Sequence, residues 1–127
     1  MSLSSFRNLE VWKKGIRLAR EAYLLTQSFP KFETYGLSSQ IQRSAVSVPA
    51  NIAEGHARGS TKEYLHHLSI ARGSLAELET LLVVAEELNY SKPQLSAQLF
   101  DQCMQEARMV NALQTSLRRR LKEKRKP

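Results

Sequence analysis

Residues 60–87, STKEYLHHLSIARGSLAELETLLVVAEE, carry the clearest structural signal in the chain. Ser60 followed by Glu63 forms a capping box, in which two side chains satisfy the free amide groups at a helix start. The next apolar residues recur at alternating intervals of four and three, the spacing of one helix face. They are Tyr64, Leu68, Ala71, Leu75, Leu78, Leu82 and Ala85. Residues 61–89 are therefore predicted to form a long amphipathic helix.

This predicted helix also carries apolar residues outside its main stripe, among them Ile70 and Val84. A helix that is apolar on more than one face needs more than one partner surface. The pattern favours association of the chain with copies of itself.

Three further helices are predicted, at residues 8–28, 33–58 and 92–122. Pro30 ends the first, because the residue before a proline is pushed out of the helical region. Pro49 lies inside the second and is expected to kink it. Pro93 falls in the first turn of the fourth, where proline is tolerated.

The predicted helices also have apolar stripes. The stripe of the first is Leu9, Trp12, Ile16, Ala19 and Tyr23. The buried side of the fourth is predicted to comprise Leu95, Leu99, Cys103, Met109, Val110, Leu113, Leu117 and Leu121. Four long helices with short connections predict an all-α fold, an antiparallel up-down-up-down four-helix bundle over residues 1–122, followed by a basic tail at 123–127.

Composition excludes several classes of protein. The single cysteine, Cys103, cannot form an internal disulfide, so a stapled secreted scaffold is excluded. The longest apolar block is far shorter than the 18 or so residues that a membrane span needs. The first residues lack the charged and apolar regions of a signal peptide. A cytoplasmic location is expected.

Most of the net charge of +7 lies at the C-terminal end of the chain. Seven of the last ten residues are basic: Arg118, Arg119, Arg120, Lys122, Lys124, Arg125 and Lys126. A second basic strip on the first predicted helix comprises Lys13, Arg17 and Arg20, with Lys14 beside it. Such residues neutralise phosphates without reading bases. Basic side chains at a helix end also offset the helix dipole and aid solubility, so the pattern leaves both uses open.

Catalytic patterns are incomplete. Glu63 and His66 have the Glu-x-x-His spacing of a di-metal carboxylate bundle, but no second copy of that motif exists in the chain. No cysteine and histidine spacing matches a zinc site. The sequence predicts no metal, no cofactor and no enzymatic activity.

Four segments together resemble the 23S rRNA-intervening-sequence proteins of bacteria. They are residues 6–12 (FRNLEVW), 33–41 (ETYGLSSQI), 47–55 (SVPANIAEG) and 73–79 (GSLAELE), with Phe29-Pro30 between the first two. The resemblance covers about residues 6–121 and excludes the basic tail. It implies an antiparallel four-helix bundle that assembles as a homopentameric ring. Accessory proteins of diversity-generating retroelements, which bind a reverse transcriptase and nucleic acid through basic surface, are also similar to this chain.

The motif residues are expected to be mainly structural. Pro49 would kink the second helix, Asn51 would satisfy backbone groups freed by the proline, and Glu54 would pair with Arg58 one turn on. Gly55 and Gly73 would allow close helix contact.

The predicted function is that of a non-enzymatic homo-oligomeric scaffold, pentameric by the resemblance, that associates with nucleic acid through basic surface. RNA is slightly favoured over DNA. The alternative is a protein-interaction module without a nucleic-acid ligand, in which the tail serves solubility alone.

Overall fold

The computed structural model describes residues 5–124, which contain helices and no strand. The four α-helices are α1 (Glu10–Thr26), α2 (Leu37–Ala57), α3 (Thr61–Glu87) and α4 (Pro93–Lys124). Short 3₁₀ helices, Phe6–Asn8 and Lys31–Glu33, precede α1 and α2. The predicted all-α class is confirmed. Glu123 and Lys124 continue α4 and do not begin a separate tail.

The helices pack as a bundle in which α1 and α3 each contact both α2 and α4. Gly15 of α1 lies against Pro49 of α2, whereas Thr26, later in α1, accepts a hydrogen bond from Gln42, earlier in α2. This reversed order is the one that antiparallel neighbours give. None of the helices between residues 5 and 124 combines the length and apolarity needed to cross a bilayer.

The buried stripe of α1 differs from the predicted one. The structure buries Val11, Gly15, Leu18, Ala22 and Leu25. Ile16 and Tyr23, which belong to the predicted stripe, are exposed. Both stripes have alternating spacings of three and four, so periodicity alone does not rank them. The observed stripe buries two leucines, Leu18 and Leu25, and leaves Tyr23 46% exposed.

The start of α2 also differs, because Glu33 acts as its cap. The predicted helix began at residue 33, but α2 begins at Leu37. One oxygen of the Glu33 carboxylate accepts from the Leu37 amide at 3.0 Å, and the other accepts from the Tyr90 hydroxyl at 2.9 Å. Glu33 therefore joins the start of α2 to the α3–α4 connection.

Pro49 is buried within α2, which continues through it as a single helix to Ala57. The kink at this proline stays a prediction.

Helix α3 ends at Glu87, two residues before the predicted end. Asn89 adopts a left-handed φ of 58°, a backbone conformation that commonly terminates helices.

The core is formed by apolar side chains from all four helices. On α4 the prediction is wrong for Leu95, which is 47% exposed. The first fully buried leucine of this helix is Leu99, one turn later.

Candidate functional site

The basic end of α4 lies beyond the last fully buried residue of that helix, Leu117. Five of its predicted binding residues fall in the described part of the chain, and all are exposed: Arg118, Arg119, Arg120, Lys122 and Lys124. None of the five makes an ion pair within residues 5–124. The other two, Arg125 and Lys126, lie outside the described residues. The end of α4 thus presents a dense group of unneutralised cations to solvent.

The basic strip on α1 is a separate surface. Lys13 pairs with Glu10 at 3.6 Å, while Arg17 and Arg20 are exposed without an ion pair in the described chain. The neighbouring Lys14 donates to Gln105 of α4 at 3.3 Å. From Gln105 to Arg118 is about 20 Å along α4 at 1.5 Å per residue. The structure therefore does not bring the two predicted basic groups together.

A chain of polar side chains joins α2 to α3 around Asn51. The Asn51 amide nitrogen donates to the Ser47 carbonyl at 2.9 Å and to the Ser47 hydroxyl at 3.0 Å. Ser74 of α3 donates to the same Ser47 hydroxyl at 2.8 Å. The Asn51 amide oxygen lies 3.0 Å from Nδ1 of His67. Since the amide nitrogen already faces Ser47, the oxygen is the acceptor and Nδ1–H of His67 is the donor.

This geometry corrects one expectation. The backbone carbonyl that Asn51 satisfies belongs to Ser47. It is not the carbonyl of Ala45, which Pro49 deprives of its helical donor. Asn51 therefore acts as a bridge between two helices more than as a repair of the proline site.

A charged group continues this network toward solvent. Arg58 donates to Glu54 at 2.9 Å and lies 3.8 Å from Glu63 at the start of α3. The hydrogen bond from Arg58, aided by the nearby His67, holds the pKa of the Glu54 carboxyl below its usual value. These exposed pairs contribute little stability individually, but they tie the end of α2 to the beginning of α3.

The two motif glycines have different surroundings. A Cβ added at Gly55 would lie 2.8 Å from Cβ of His67 and 3.3 Å from the backbone Cα of Tyr64. Gly55 therefore permits the close approach of α2 and α3. A Cβ added at Gly73 would meet nothing within 4 Å, so the expectation of a close helix contact there is wrong for the described chain.

The core contains a buried acid that the sequence pattern did not predict. Glu106 of α4 is 1% exposed, and neither of its carboxyl oxygens has a hydrogen-bond partner in the described chain. A Cβ added at Gly15 would lie 2.9 Å from one of these oxygens and 3.2 Å from Cβ of Pro49. Burial raises the Glu106 pKa to about 8, against a smaller opposing effect of Lys14. The sequence did contain a signal for this burial. Glu106 lies in the row Leu99, Cys103, Glu106, Val110, whose alternating intervals of four and three are typical of a buried helix face.

The potential metal-ligating side chains of the described residues do not cluster. Among residues 5–124, no three His, Cys, Asp or Glu side chains are arranged so that they could hold a metal ion. His66 and His67 have ring centroids 5.5 Å apart, but Nδ1 of His67 is already engaged by Asn51. Burial raises the pKa of the Cys103 thiol to about 12, which keeps it protonated and unreactive.

Replacing Asn51 by alanine should lower the free energy of unfolding by about 1–3 kcal/mol, because His67 and Ser47 lose a partner in a half-buried place. Asn111 on α4 is exposed, so Asn111→Ala is a matched control that should change stability by less than about 0.5 kcal/mol. Urea unfolding of the three proteins measures the difference. Equal effects of the two substitutions would show that the Asn51 bridge contributes nothing.

The family model described as 23S rRNA-intervening sequence protein matches residues 7–112. Among solved structures, the fold is similar to that of a protein of unknown function from the S23 ribosomal protein family of Bacteroides thetaiotaomicron. The TM-score is 0.74 at 22% identity, and the match covers 81% of this chain and 96% of the other. No curated protein matches the chain. The family match ends before Arg118, so the basic end of α4 lies outside it.

Proposed function

Because this chain belongs to the 23S rRNA-intervening sequence protein family, we propose that it acts as a non-enzymatic, cytoplasmic scaffold, a homo-oligomer of five chains in a ring. In this proposal the ring associates with nucleic acid, RNA before DNA, through basic side chains. The observation that carries the proposal is the group of exposed cations at the end of α4, which make no ion pair within the described residues.

The α4 group suits phosphate contacts. Three consecutive arginines and two lysines within seven residues point to several sides of one helix, so they can meet phosphates without fixed base positions. Aromatic residues are absent from residues 118–124, so stacking on bases is not part of the proposed contact. The expected binding is electrostatic and tolerant of sequence.

Assembly strengthens such weak contacts. A ring repeats the α4 end once per chain, and contacts made by several copies with one strand add through effective concentration. Lys13, Arg17 and Arg20 are proposed as a secondary basic surface, but Lys13 is already partly neutralised by Glu10.

The salt dependence of RNA binding tests the α4 contact. Replacing Arg118, Arg119 and Arg120 by alanine should make the slope of log K against log salt shallower by about 2, since each phosphate contact to a single strand contributes about 0.7. The measurement is fluorescence anisotropy with a labelled single-stranded RNA over about 50–200 mM salt.

The matched control removes the same charge elsewhere. Arg43, Lys62 and Arg108 are exposed on the other helices or earlier in α4, and none of them makes an ion pair in the described chain. Their replacement by alanine should leave the slope nearly as in the wild type. If both triple variants changed the slope equally, net charge alone would govern binding and the α4 site would be refuted.

A protein-interaction module is the second candidate function. The observation that favours it is the connection between α1 and α2, where Phe32 is 79% and Tyr35 95% exposed. Exposed aromatic side chains of this kind serve as anchors in protein interfaces. Absence of RNA and DNA binding by the wild type at low salt would favour this candidate over the scaffold for nucleic acid.

A further inference from the structure

The outer surfaces of α1 and α3 carry opposite charge. From Lys13 to Arg20 the chain has four basic residues and no acidic one. Between Arg72 and Lys92 it has four glutamates, at 77, 79, 86 and 87, and no basic residue. None of these four glutamates makes an ion pair within residues 5–124.

On each helix some of the exposed charged side chains form a row together with an exposed apolar side chain; of the charged members, Lys13 alone has an ion-pair partner within residues 5–124, Glu10. The α1 row consists of Lys13, Arg17, Arg20 and Leu24, and the α3 row consists of Glu77, Thr80, Val84 and Glu87. Every member of both rows is exposed. Alternating intervals of three and four keep each row on one face of its helix. Leu88 lies beside the α3 row and is 48% exposed.

The two rows lie on opposite sides of the bundle. Both α1 and α3 pack on α2 and on α4, which places α1 and α3 at diagonal corners. One chain therefore cannot bring its own two rows together. A second copy can, because its α3 row is free to meet the α1 row of the first.

We infer that the α1 row of one chain docks against the α3 row of the next in the proposed homo-oligomer. Contact of either row with its own copy would oppose like charges, whereas contact between the two rows pairs arginine with glutamate and covers Leu24, Val84 and Leu88. Such an interface is heterologous, so it builds a head-to-tail ring or chain and not a two-fold dimer. This inference rests on the proposed oligomer and assigns Arg17 and Arg20 to subunit contact in place of nucleic acid.

Reversing the charge of either row tests whether the α1 row contacts the α3 row of the next chain, and the measurement is the mass of the assembly in solution. Glu77→Lys with Glu87→Lys reverses the α3 row, and Arg17→Glu with Arg20→Glu reverses the α1 row. Each variant alone should fall from the wild-type oligomer to a monomer of 14.4 kDa, about a fivefold loss of mass. A chain with all four substitutions should recover the wild-type mass, because the complementarity is restored with its sign inverted.

Mixing the two reversed variants gives a sharper result. One reversed variant has two basic rows and the other has two acidic rows, so each variant binds only the other. The two kinds of chain must therefore alternate, and a ring with an odd number of chains cannot close. The mixture should form assemblies with equal amounts of both variants and no five-chain ring. Arg108→Glu, an exposed change on α4, is the matched control and should keep the wild-type mass.

The outcomes separate this inference from the proposed function. Circular dichroism first establishes that each variant is as helical as the wild type. An oligomeric wild type with both reversed variants at unchanged mass overturns the assignment of the rows while leaving the oligomer intact. A helical four-substitution chain that stays monomeric also overturns the pairing. A monomeric wild type overturns the proposed oligomer itself and the inference with it.

Discussion

Replacing Glu106 by glutamine should remove a large contribution to the pH dependence of this protein's stability in neutral and mildly alkaline solution. Burial raises the Glu106 pKa from 4.5 to about 8, and neither carboxyl oxygen has a hydrogen-bond partner among residues 5–124. Lys14 of α1 is the charged group that opposes this shift, and Cys103 lies one turn earlier on α4.

The contribution of Glu106 to the free energy of unfolding falls as pH rises, because the folded chain binds the Glu106 proton more tightly than the unfolded chain does. Above pH 4.5 the unfolded chain releases the Glu106 proton, whereas the folded chain keeps it until about pH 8. The stability that protonated Glu106 contributes is therefore fully present below pH 4.5 and is lost as pH rises toward 8. The loss is about 1.4 kcal/mol per pH unit, or roughly 5 kcal/mol over the whole range.

Glutamine keeps the shape of the neutral acid and does not titrate. The free energy of unfolding of Glu106→Gln minus that of the wild type should increase by about 1.4 kcal/mol per pH unit between about pH 5 and pH 8, then level off. Urea unfolding at one fixed protein concentration measures this difference. Glu123→Gln, an exposed change at the end of α4, should show no slope. Parallel pH profiles for Glu106→Gln and the wild type would contradict a neutral buried acid.

Replacing Gly55 by alanine should destabilise the bundle, although alanine is the better helix former. The new methyl group would lie 2.8 Å from Cβ of His67 and 3.0 Å from Cδ1 of Tyr64. The backbone of α3 is also within 3.3 Å, so the two helices must move apart. We expect a loss of about 1–3 kcal/mol, the range for overpacking a tight contact.

Gly73→Ala is the matched control, because its methyl group would meet nothing within 4 Å. It should gain up to about 1 kcal/mol from helix propensity. Thermal or urea unfolding of both variants gives the comparison. If Gly55→Ala were as stable as Gly73→Ala, the close contact of α2 and α3 at this point would be refuted.

The α3 segment shows how far periodicity reaches. Ser60 caps the helix through its hydroxyl, which accepts from the Glu63 amide at 3.3 Å, and the predicted stripe from Leu68 to Ala85 is buried. The signal was strong because capping, spacing and large leucines all agreed. On α1 two stripes had equal spacing, so the sequence did not distinguish them.

The candidate site also has one part that the sequence predicted and one part that it did not. The exposed basic end of α4 follows from composition, because lysine and arginine side chains are rarely buried without a partner. The link from Asn51 to His67 was not predictable, since it joins side chains sixteen residues apart on different helices. Spacing along one helix carries no information about which polar atoms on another helix will meet it.

The amino-acid sequence alone determined the four helices, the all-α class and the position of the basic charge, because these depend on local propensity and on periodicity along a single helix. Tertiary structure decided which face of α1 is buried, that Glu106 is buried beside Gly15 of α1, and that the charged rows of α1 and α3 lie at opposite corners. These features depend on how helices distant in the chain pack together, and the free energy of that packing is a property of pairs of surfaces.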